Sequence, residues 1–308
     1  MADLSANLGK ICLKNPVVTA SGTFGYGREY LEYCPPEKLG AVTVKGISVF
    51  PWDGNATPRI AEVYGGMLNS IGLQNPGAEK FLQDDEYLPS LRRTGATVFV
   101  NIWGRSVEDY RDVASILDEK SEGIAALEIN ISCPNIKEGG IAFGTDLKLA
   151  AKVVSEVRKA TKLPLITKLS PNVSKIADFA KAVVDAGSDI ISLINTLPAM
   201  AIDAKTRKPR IASVTGGFSG PAIKPVALRM VYDTAKAVDA PIIGMGGIAS
   251  AEDAIEFILA GADAIAVGTA IFADPSVPLK VISGINDYLD SNGIKKLSDI
   301  VGKLEFGN

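Results

Sequence analysis

Short apolar runs alternate with amphipathic stretches along the whole chain. Eight runs rich in β-branched residues have the length of buried strands, at 17–22, 41–46, 97–102, 126–132, 164–170, 189–195, 241–247 and 264–269. Helical periodicity separates them, most clearly at 146–161, 175–187 and 250–261. Strands that are apolar throughout are typical of a parallel sheet covered on both faces. The pattern therefore predicts repeated βα units.

Eight βα units are the number that closes a (β/α)8 barrel, and the length of 308 residues suits one such domain. We predict a single TIM barrel over residues 1–308, with the eight runs as its first to eighth barrel strands. In the helix predicted at 250–261, Ser250 is the expected N-cap, Asp253 lies in the first turn and Gly261 follows the last turn. A doubly wound open sheet is the alternative architecture.

Three connections are too long for simple turns. They follow the second, fourth and sixth barrel strands, at 47–75, 130–145 and 196–220. Each leaves the carboxyl end of a strand, which is the catalytic face of such barrels. Long ordered βα loops at this face usually cover a bound molecule.

Charge and composition exclude several functions. The net charge of −3 gives no basic surface for nucleic acid, and no apolar run is long enough to span a membrane. The N-terminus lacks the pattern of a secretory signal, so we expect a cytoplasmic protein. The chain has no histidine and three scattered cysteines. Histidine-based catalysis, histidine zinc sites and a four-cysteine iron–sulfur cluster are therefore excluded, and no metal site is expected.

Polar residues end six of the eight predicted strands. These residues are Ser21, Lys45, Asn101, Asn130, Lys168 and Asn195. Any one of them is explained by a cap or turn, but together they indicate a polar site at the mouth of the barrel. Two lysines in an apolar barrel are costly unless they face an anion or an electron-rich ring.

Glycine clusters follow the seventh and eighth strands, as GMGGI (244–248) and VGTAIF (267–272). Barrels commonly hold a phosphate at these two junctions, where glycine lets the backbone approach the phosphate closely. The phosphorylated molecule is either a sugar phosphate or FMN. Lys168 would accordingly either stabilise a reduced flavin ring at its N1–C2=O edge or form a Schiff base, as in barrel aldolases.

Cys133 follows the fourth strand in the segment NISCPNIKEGGIAFGT (130–145). Free cysteines are most often buried and inert. Here, however, the glycine-rich polar segment suits a mobile lid that carries its own reactive group. A thiol with an ordinary pKa of about 8.5 needs little help to act as a base near neutral pH.

At these positions the sequence resembles the dihydroorotate dehydrogenases across essentially its whole length. The motifs that carry the resemblance are NPVVTASGTFG (15–25), VKGIS (44–48), NSIGLQNPG (69–77), NISCPN (130–135), GGIAFGT (139–145), GMGGI and VGTAIF. The family implies oxidation of (S)-dihydroorotate to orotate in pyrimidine biosynthesis. Cys133 would remove the C5 proton, hydride would leave C6 for FMN, and Lys45 and Lys168 would assist.

The resemblance also implies two sets of binding residues. FMN would be held by Ser21, Lys45, Gly46, Asn101, Asn130, Lys168, Ile194, Gly220, Gly246, Gly247, Gly268 and Thr269. Substrate would be held by Lys45, Asn69, Ser70, Ile71, Gly72, Leu73, Asn130, Asn195 and Thr196. Trp103 stands where smaller residues are expected, so the loop after the third strand is expected to pack differently next to Asn101. Nearby, Arg105 would reach either the flavin phosphate or solvent.

GGIAFGT after SCPN resembles the NAD-linked class (type 1B), whose FMN subunit works with a separate iron–sulfur flavoprotein. The expected partner carries FAD and a [2Fe–2S] cluster and passes electrons to NAD⁺. Two such pairs would form a heterotetramer around a homodimer of barrels. The alternatives are a stand-alone enzyme that reduces fumarate, an FMN barrel that acts on uridine in tRNA, and a flavin-free structural subunit.

Overall fold

The computed structural model describes residues 2–132 and 143–306. Its strands, in chain order, are β1 (Ala6–Leu8), β2 (Ile11–Leu13), β3 (Val17–Thr19), β4 (Val42–Ile47), β5 (Ile60–Val63), β6 (Gly66–Asn69), β7 (Val98–Ile102), β8 (Ala126–Asn130), β9 (Leu165–Lys168), β10 (Ile190–Leu193), β11 (Leu197–Met200), β12 (Ile202–Asp203), β13 (Lys208–Pro209), β14 (Thr215–Ser219), β15 (Ile242–Met245) and β16 (Ala264–Val267).

The eight predicted strands form the wall of a parallel barrel. Their order around the wall is β3, β16, β15, β10, β9, β8, β7 and β4. The first and second barrel strands, β3 and β4, meet through a parallel bridge between Val18 and Ala41 and a bond from the Thr43 N–H to Thr19 Oγ1 at 3.0 Å. This contact closes the sheet, so the barrel prediction is confirmed and the open-sheet alternative is wrong.

Helices follow the barrel strands and cover the outside of the wall. They are α1 (Ala78–Gln83), α2 (Leu88–Thr94), α3 (Val107–Glu119), α4 (Leu147–Ala160), α5 (Ile176–Asp185), α6 (Lys224–Ala235), α7 (Ala251–Leu259) and α8 (Val277–Ser291). Apolar side chains of the barrel strands and the helices form a large buried core, and a second, small cluster of Ala61, Leu68 and Ile211 lies in the long connections. None of the helices in the described ranges has both the length and the apolar character needed to cross a bilayer.

The helix predicted at 250–261 has the ends that its sequence indicates. Ser250 and Asp253 form a reciprocal capping box at the start of α7, each side chain accepting from the backbone of the other. Gly261, after the helix, has φ of +114°, a conformation that side chains with a Cβ rarely adopt. Ser106 and Asp109 form the same box on α3. These caps satisfy backbone N–H groups that a helix start leaves without partners.

The long connections after the second and sixth barrel strands pair with each other. Their strands form an antiparallel sheet in the order β11, β14, β6 and β5, which we call the cap sheet. Asn69 of β6 lies opposite Gly217 of β14, and Leu68 lies opposite Phe218. The sequence predicts that these connections cover a bound molecule, but it does not predict their pairing.

Candidate active site

A cavity of about 840 Å³ lies at the carboxyl ends of the barrel strands, beneath the cap sheet. It is lined by nearly all of the residues predicted to bind cofactor or substrate: Ser21, Lys45, Gly46, Asn69, Ile71, Gly72, Leu73, Asn101, Asn130, Lys168, Ile194, Asn195, Thr196, Gly220, Gly246, Gly247, Gly268 and Thr269. The fold therefore brings together segments that are far apart in the chain.

Two predicted residues are not in this lining. Ser70 is fully buried, and its hydroxyl has no hydrogen-bond partner among the described residues. Its backbone N–H donates to the Arg59 carbonyl at 2.8 Å, so Ser70 holds the loop while Asn69 and Ile71 face the cavity. Cys133 lies outside the described residues.

The two predicted lysines reach the cavity from different strands. Lys168, at the end of β9, is buried, and its Nζ lies 3.4 Å from Ser21 Oγ beyond the end of β3. Lys45, in β4, lines the same cavity and is half-buried. Burying an ammonium group is costly unless a partner offsets the lost hydration. Their position favours a bound molecule with negative charge or carbonyl oxygens.

Glu128 is a buried carboxylate under the cavity that the sequence analysis did not single out. Strand side chains alternate between faces, so Glu128 and Asn130 of β8 both point into the barrel. Glu128 accepts hydrogen bonds from Asn101 Nδ2 at 2.6 Å and from Ser192 Oγ at 2.8 Å. The available signal was that Glu128 is the one charged residue of the predicted strand at 126–132.

Hydrogen bonds continue from Asn101 across the cavity wall. Asn130 Nδ2 donates to Asn101 Oδ1 at 3.4 Å, and Asn130 Oδ1 accepts from the backbone N–H and hydroxyl of Ser132 at 3.3 and 3.0 Å. Asn195 Nδ2 then donates to Ser132 Oγ at 2.8 Å, and Asn195 Oδ1 accepts from the Thr196 N–H at 2.8 Å. Three predicted binding asparagines thus belong to one network, which includes the residue before Cys133.

The glycine turns after the seventh and eighth barrel strands form one end of the cavity. Gly246 and Gly247 have φ of +126° and +81°, and a Cβ on Gly247 would lie 2.8–3.0 Å from atoms of Lys224. Lys224 Nζ is held by Asp253 at 2.6 Å and Glu256 at 2.9 Å, bonds that raise the pKa of Lys224. The turn therefore needs glycine and is backed by an ion-pair network that joins α6 to α7.

The turn after the eighth barrel strand is tied to the cap sheet. Gly268 leads into a short 3-10 helix, Thr269–Phe272, and Thr269 Oγ1 donates to Ser219 Oγ at 2.7 Å. At the rim of the cavity, Asp274 accepts from Lys280 Nζ at 2.6 Å. This bond, together with bonds from Ser276, lowers the pKa of Asp274 to about 2.

Asn101 faces the cavity despite the bulky residue that follows its strand. A Cβ added to Gly46 would lie 2.7 Å from Asn101 Oδ1, so glycine is needed for the close approach of these two strands. Trp103 is buried away from the cavity lining and packs edge-on against Trp52, with centroids 6.0 Å apart. Arg105 stacks on the other ring, 5.2 Å from the Trp52 centroid, and does not line the cavity.

Comparisons with known proteins agree with this geometry. Residues 3–289 match the family model described as "Dihydroorotate dehydrogenase". A relative from Alkaliphilus metalliredigens, named "Dihydroorotate dehydrogenase B (NAD(+)), catalytic subunit", is 56% identical over 302 residues, covering 98% of this chain and 99% of the relative. A relative of the same name from Bacteroides fragilis is 52% identical, with 99% of this chain and 100% of the relative covered.

The fold is shared with a more distant solved structure. The crystal structure of DHODH from Eimeria tenella in complex with ferulenol has a TM-score of 0.79 to this chain at 23% sequence identity. The alignment covers 98% of this chain and 88% of that one. With the family model matching most of the sequence and relatives identical at more than half of their positions, this chain belongs to the dihydroorotate dehydrogenase family.

Proposed function

We propose that this chain oxidises (S)-dihydroorotate to orotate in pyrimidine biosynthesis, as the FMN-containing catalytic subunit of an NAD-linked enzyme. The observation that carries the proposal is the single cavity at the carboxyl ends of the barrel strands. That cavity joins two lysines, three networked asparagines and the glycine turns of the last two strands. Relatives that share more than half of the sequence are named for this activity.

The cavity suits FMN in shape and in donors. Gly246, Gly247 and Gly268 carry no side chain and line this end of the cavity, so a phosphate could approach the main chain closely there. The polar groups nearer the barrel axis, Lys168 with Ser21, would face the carbonyl edge of the isoalloxazine ring. When bound, FMN would supply a two-electron acceptor for hydride.

The other predicted FMN contacts lie around the same cavity and complete the proposed binding set. They are Lys45, Gly46, Asn101, Asn130, Ile194, Gly220 and Thr269. Lys45 and Lys168 would both offset negative charge that accumulates on the ring system or on the substrate carboxylate, and the burial of Lys168 makes its interaction stronger than it would be in water.

Dihydroorotate would lie between the loop 69–73 and the asparagine network. Asn130 and Asn195 are each fixed on one side by Ser132, which leaves their remaining amide N–H groups to donate to ring carbonyls or a carboxylate. Lys45 and Thr196 line the cavity beside them. Asn69 donates to the Gly217 carbonyl at 3.4 Å, so the cap sheet holds this loop over the substrate.

Cys133 is the proposed base that takes the C5 proton. The chain contains no histidine, so a thiolate is the side chain whose ordinary pKa lies nearest to neutral. Ser132, the residue before it, is anchored to Asn130 and Asn195 inside the cavity wall. The network therefore includes the residue that directly precedes Cys133 in the sequence.

Electrons would leave this chain through a partner protein. The relatives' name "catalytic subunit" indicates a second subunit in those enzymes. We propose that here the partner carries FAD and a [2Fe–2S] cluster and delivers electrons to NAD⁺. The assembly would be a cytoplasmic heterotetramer around a homodimer of barrels, with residues 1–308 as one FMN-binding domain.

Anaerobic titration of the purified chain with dihydroorotate tests the activity. We expect the flavin absorbance near 450 nm to bleach in proportion to the dihydroorotate added, since a two-electron substrate reduces one flavin. NAD⁺ should restore the colour only when the partner is present. A chain that gains no flavin on reconstitution, or whose bound flavin stays oxidised, would overturn the proposal. Rapid reoxidation by fumarate without a partner would instead identify the stand-alone class.

A further inference from the structure

The hydrogen bonds of the asparagine network run in one consistent direction from Glu128. Asn101 donates its amide Nδ2 to Glu128 at 2.6 Å, so the carboxyl oxygen is the acceptor of this bond. Asn101 Oδ1 therefore points the other way, where Asn130 Nδ2 donates to it. Ser192 donates its hydroxyl to the second Glu128 oxygen at 2.8 Å. Glu128 is thus satisfied by two donors in a position that is only 2% exposed.

The far end of the network agrees with this direction. The backbone N–H of Ser132 can only donate, which requires Asn130 to present its oxygen there and its nitrogen towards Asn101. If Asn101 turned its amide over, its nitrogen would face the nitrogen of Asn130 and the bond between them would be lost. Asn130 would then be held from one side only.

On the basis of the proposed function, we propose that Glu128 is a positioning residue for substrate. It fixes the amide of Asn101 and, through it, holds Asn130 and the Ser132 anchor in the arrangement that binds dihydroorotate and orotate. Glu128 is not part of the cavity lining, and its bond to Asn101 connects it to that lining. Burying a carboxylate costs free energy, and the hydrogen-bond acceptor that Glu128 supplies to Asn101 gives this burial a function.

Three variants of the holoenzyme separate this role from a purely structural one. Glu128→Met removes both acceptors at nearly constant volume and frees Asn101. Glu128→Gln keeps an acceptor for Asn101, while its new amide nitrogen can donate to the Ser192 hydroxyl. Ser192→Ala removes one bond to Glu128 but leaves the carboxylate in front of Asn101. Orotate affinity is measured by calorimetry, and stability is measured by thermal unfolding of the same samples.

We expect Glu128→Met to weaken orotate binding by about tenfold or more, equivalent to about 1.4 kcal/mol. Glu128→Gln and Ser192→Ala should bind orotate within about threefold of wild type, even where their unfolding temperature falls. Wild-type affinity in Glu128→Met would overturn the inference, as would losses of affinity that simply follow losses of stability across the three variants. Wild-type holoenzyme that fails to bind orotate would overturn the proposed function itself.

If Glu128→Met does not fold, a paired exchange gives the same test. Asn101→Asp places two carboxylates opposite each other, so neither can donate to the other. Combining Asn101→Asp with Glu128→Gln restores the bond in the reverse direction, because the new amide at position 128 can donate to the new carboxylate at position 101. That carboxylate can still accept from Asn130. We expect the double variant to bind orotate at least about fivefold more tightly than Asn101→Asp alone, a gain of roughly one hydrogen bond. Equal affinity in the two would contradict the inference.

Discussion

Thr269 Oγ1 lies 2.7 Å from Ser219 Oγ, so a single hydroxyl pair joins the turn after the eighth barrel strand to strand β14 of the cap sheet. This bond connects the proposed phosphate end of the cavity to the sheet that covers it. The turn and the cap sheet come from separate parts of the chain. The distance between them affects how closely the cavity fits a bound flavin.

Removing this bond is expected to weaken FMN retention. Ser219→Ala removes the hydroxyl that accepts this bond and leaves Thr269, a proposed FMN contact, unchanged, so the turn and the cap sheet can separate. We expect the FMN dissociation constant, measured by flavin fluorescence, to rise about three- to tenfold, in line with the loss of about one hydrogen bond. Ser213→Ala is the matched control, because its half-buried side chain donates to the Thr215 carbonyl within the same connection. An equal effect in the control would refute the link.

Lys168 is expected to be needed for flavin reduction. Lys168→Met removes the buried ammonium group beside Ser21 while keeping much of the apolar stem. We expect the rate of dihydroorotate-dependent bleaching to fall by at least about 100-fold, or roughly 2.7 kcal/mol in the barrier. Stopped-flow absorbance measures this rate. Lys175→Met, an exposed lysine before α5, serves as the control and should react normally.

The same lysine also distinguishes flavin chemistry from Schiff-base chemistry. Borohydride added in the presence of a carbonyl substrate should leave the mass of the wild-type chain unchanged. A covalent adduct on Lys168 in the mass spectrum would favour the aldolase alternative over the dehydrogenase.

Cys133→Ala is expected to separate flavin binding from catalysis. None of the proposed FMN contacts is altered, so the protein should keep its yellow spectrum. Reduction by dihydroorotate should fall by about 100-fold or more, because general-base catalysis typically contributes at least this much. Cys12→Ala, at an exposed site, is the control. Normal bleaching in Cys133→Ala would remove Cys133 from the proposed proton transfer.

An alkylating reagent should modify Cys133 in preference to Cys34. Burial raises the pKa of the Cys34 thiol to about 11. Because this pKa is raised, the reactive thiolate of Cys34 is scarce at pH 8 and increases only as the pH approaches 11. In a Cys12→Ser background, iodoacetamide at pH 8 should modify one thiol in the native protein, with orotate slowing the reaction. Two modified thiols at pH 8 would show that Cys34 is accessible, and peptide mapping identifies the sites.

The barrel and most of the cavity lining could be predicted from the sequence because each depends on local patterns. Continuous apolar runs mark buried parallel strands, and the polar residues that end them meet at one face by geometry alone. Gly246 and Gly247 could be predicted as site residues because they form a glycine cluster directly after the seventh predicted strand. The capping box of Ser250 and Asp253 is likewise encoded within four residues.

Contacts between segments that are far apart in the chain could not be predicted from the sequence. Pairing of Asn69 with Gly217 in the cap sheet depends on how two loops meet after the barrel has formed. Ser70 lies within a predicted binding segment, yet the fold turns its side chain into the protein. Arg105 was assigned to phosphate or solvent, but it stacks on Trp52, which precedes it in the chain by about fifty residues. Such contacts require the three-dimensional arrangement.

The cap sheet also affects the order of events during folding. Strands β6 and β14 come from opposite halves of the chain, so the sheet cannot assemble until both strands have been synthesised. Contacts between distant segments form late, since the intervening loop must first be closed at an entropic cost. We therefore expect the cavity to be completed late in folding, so that a newly made barrel acquires its cofactor as one of its last steps.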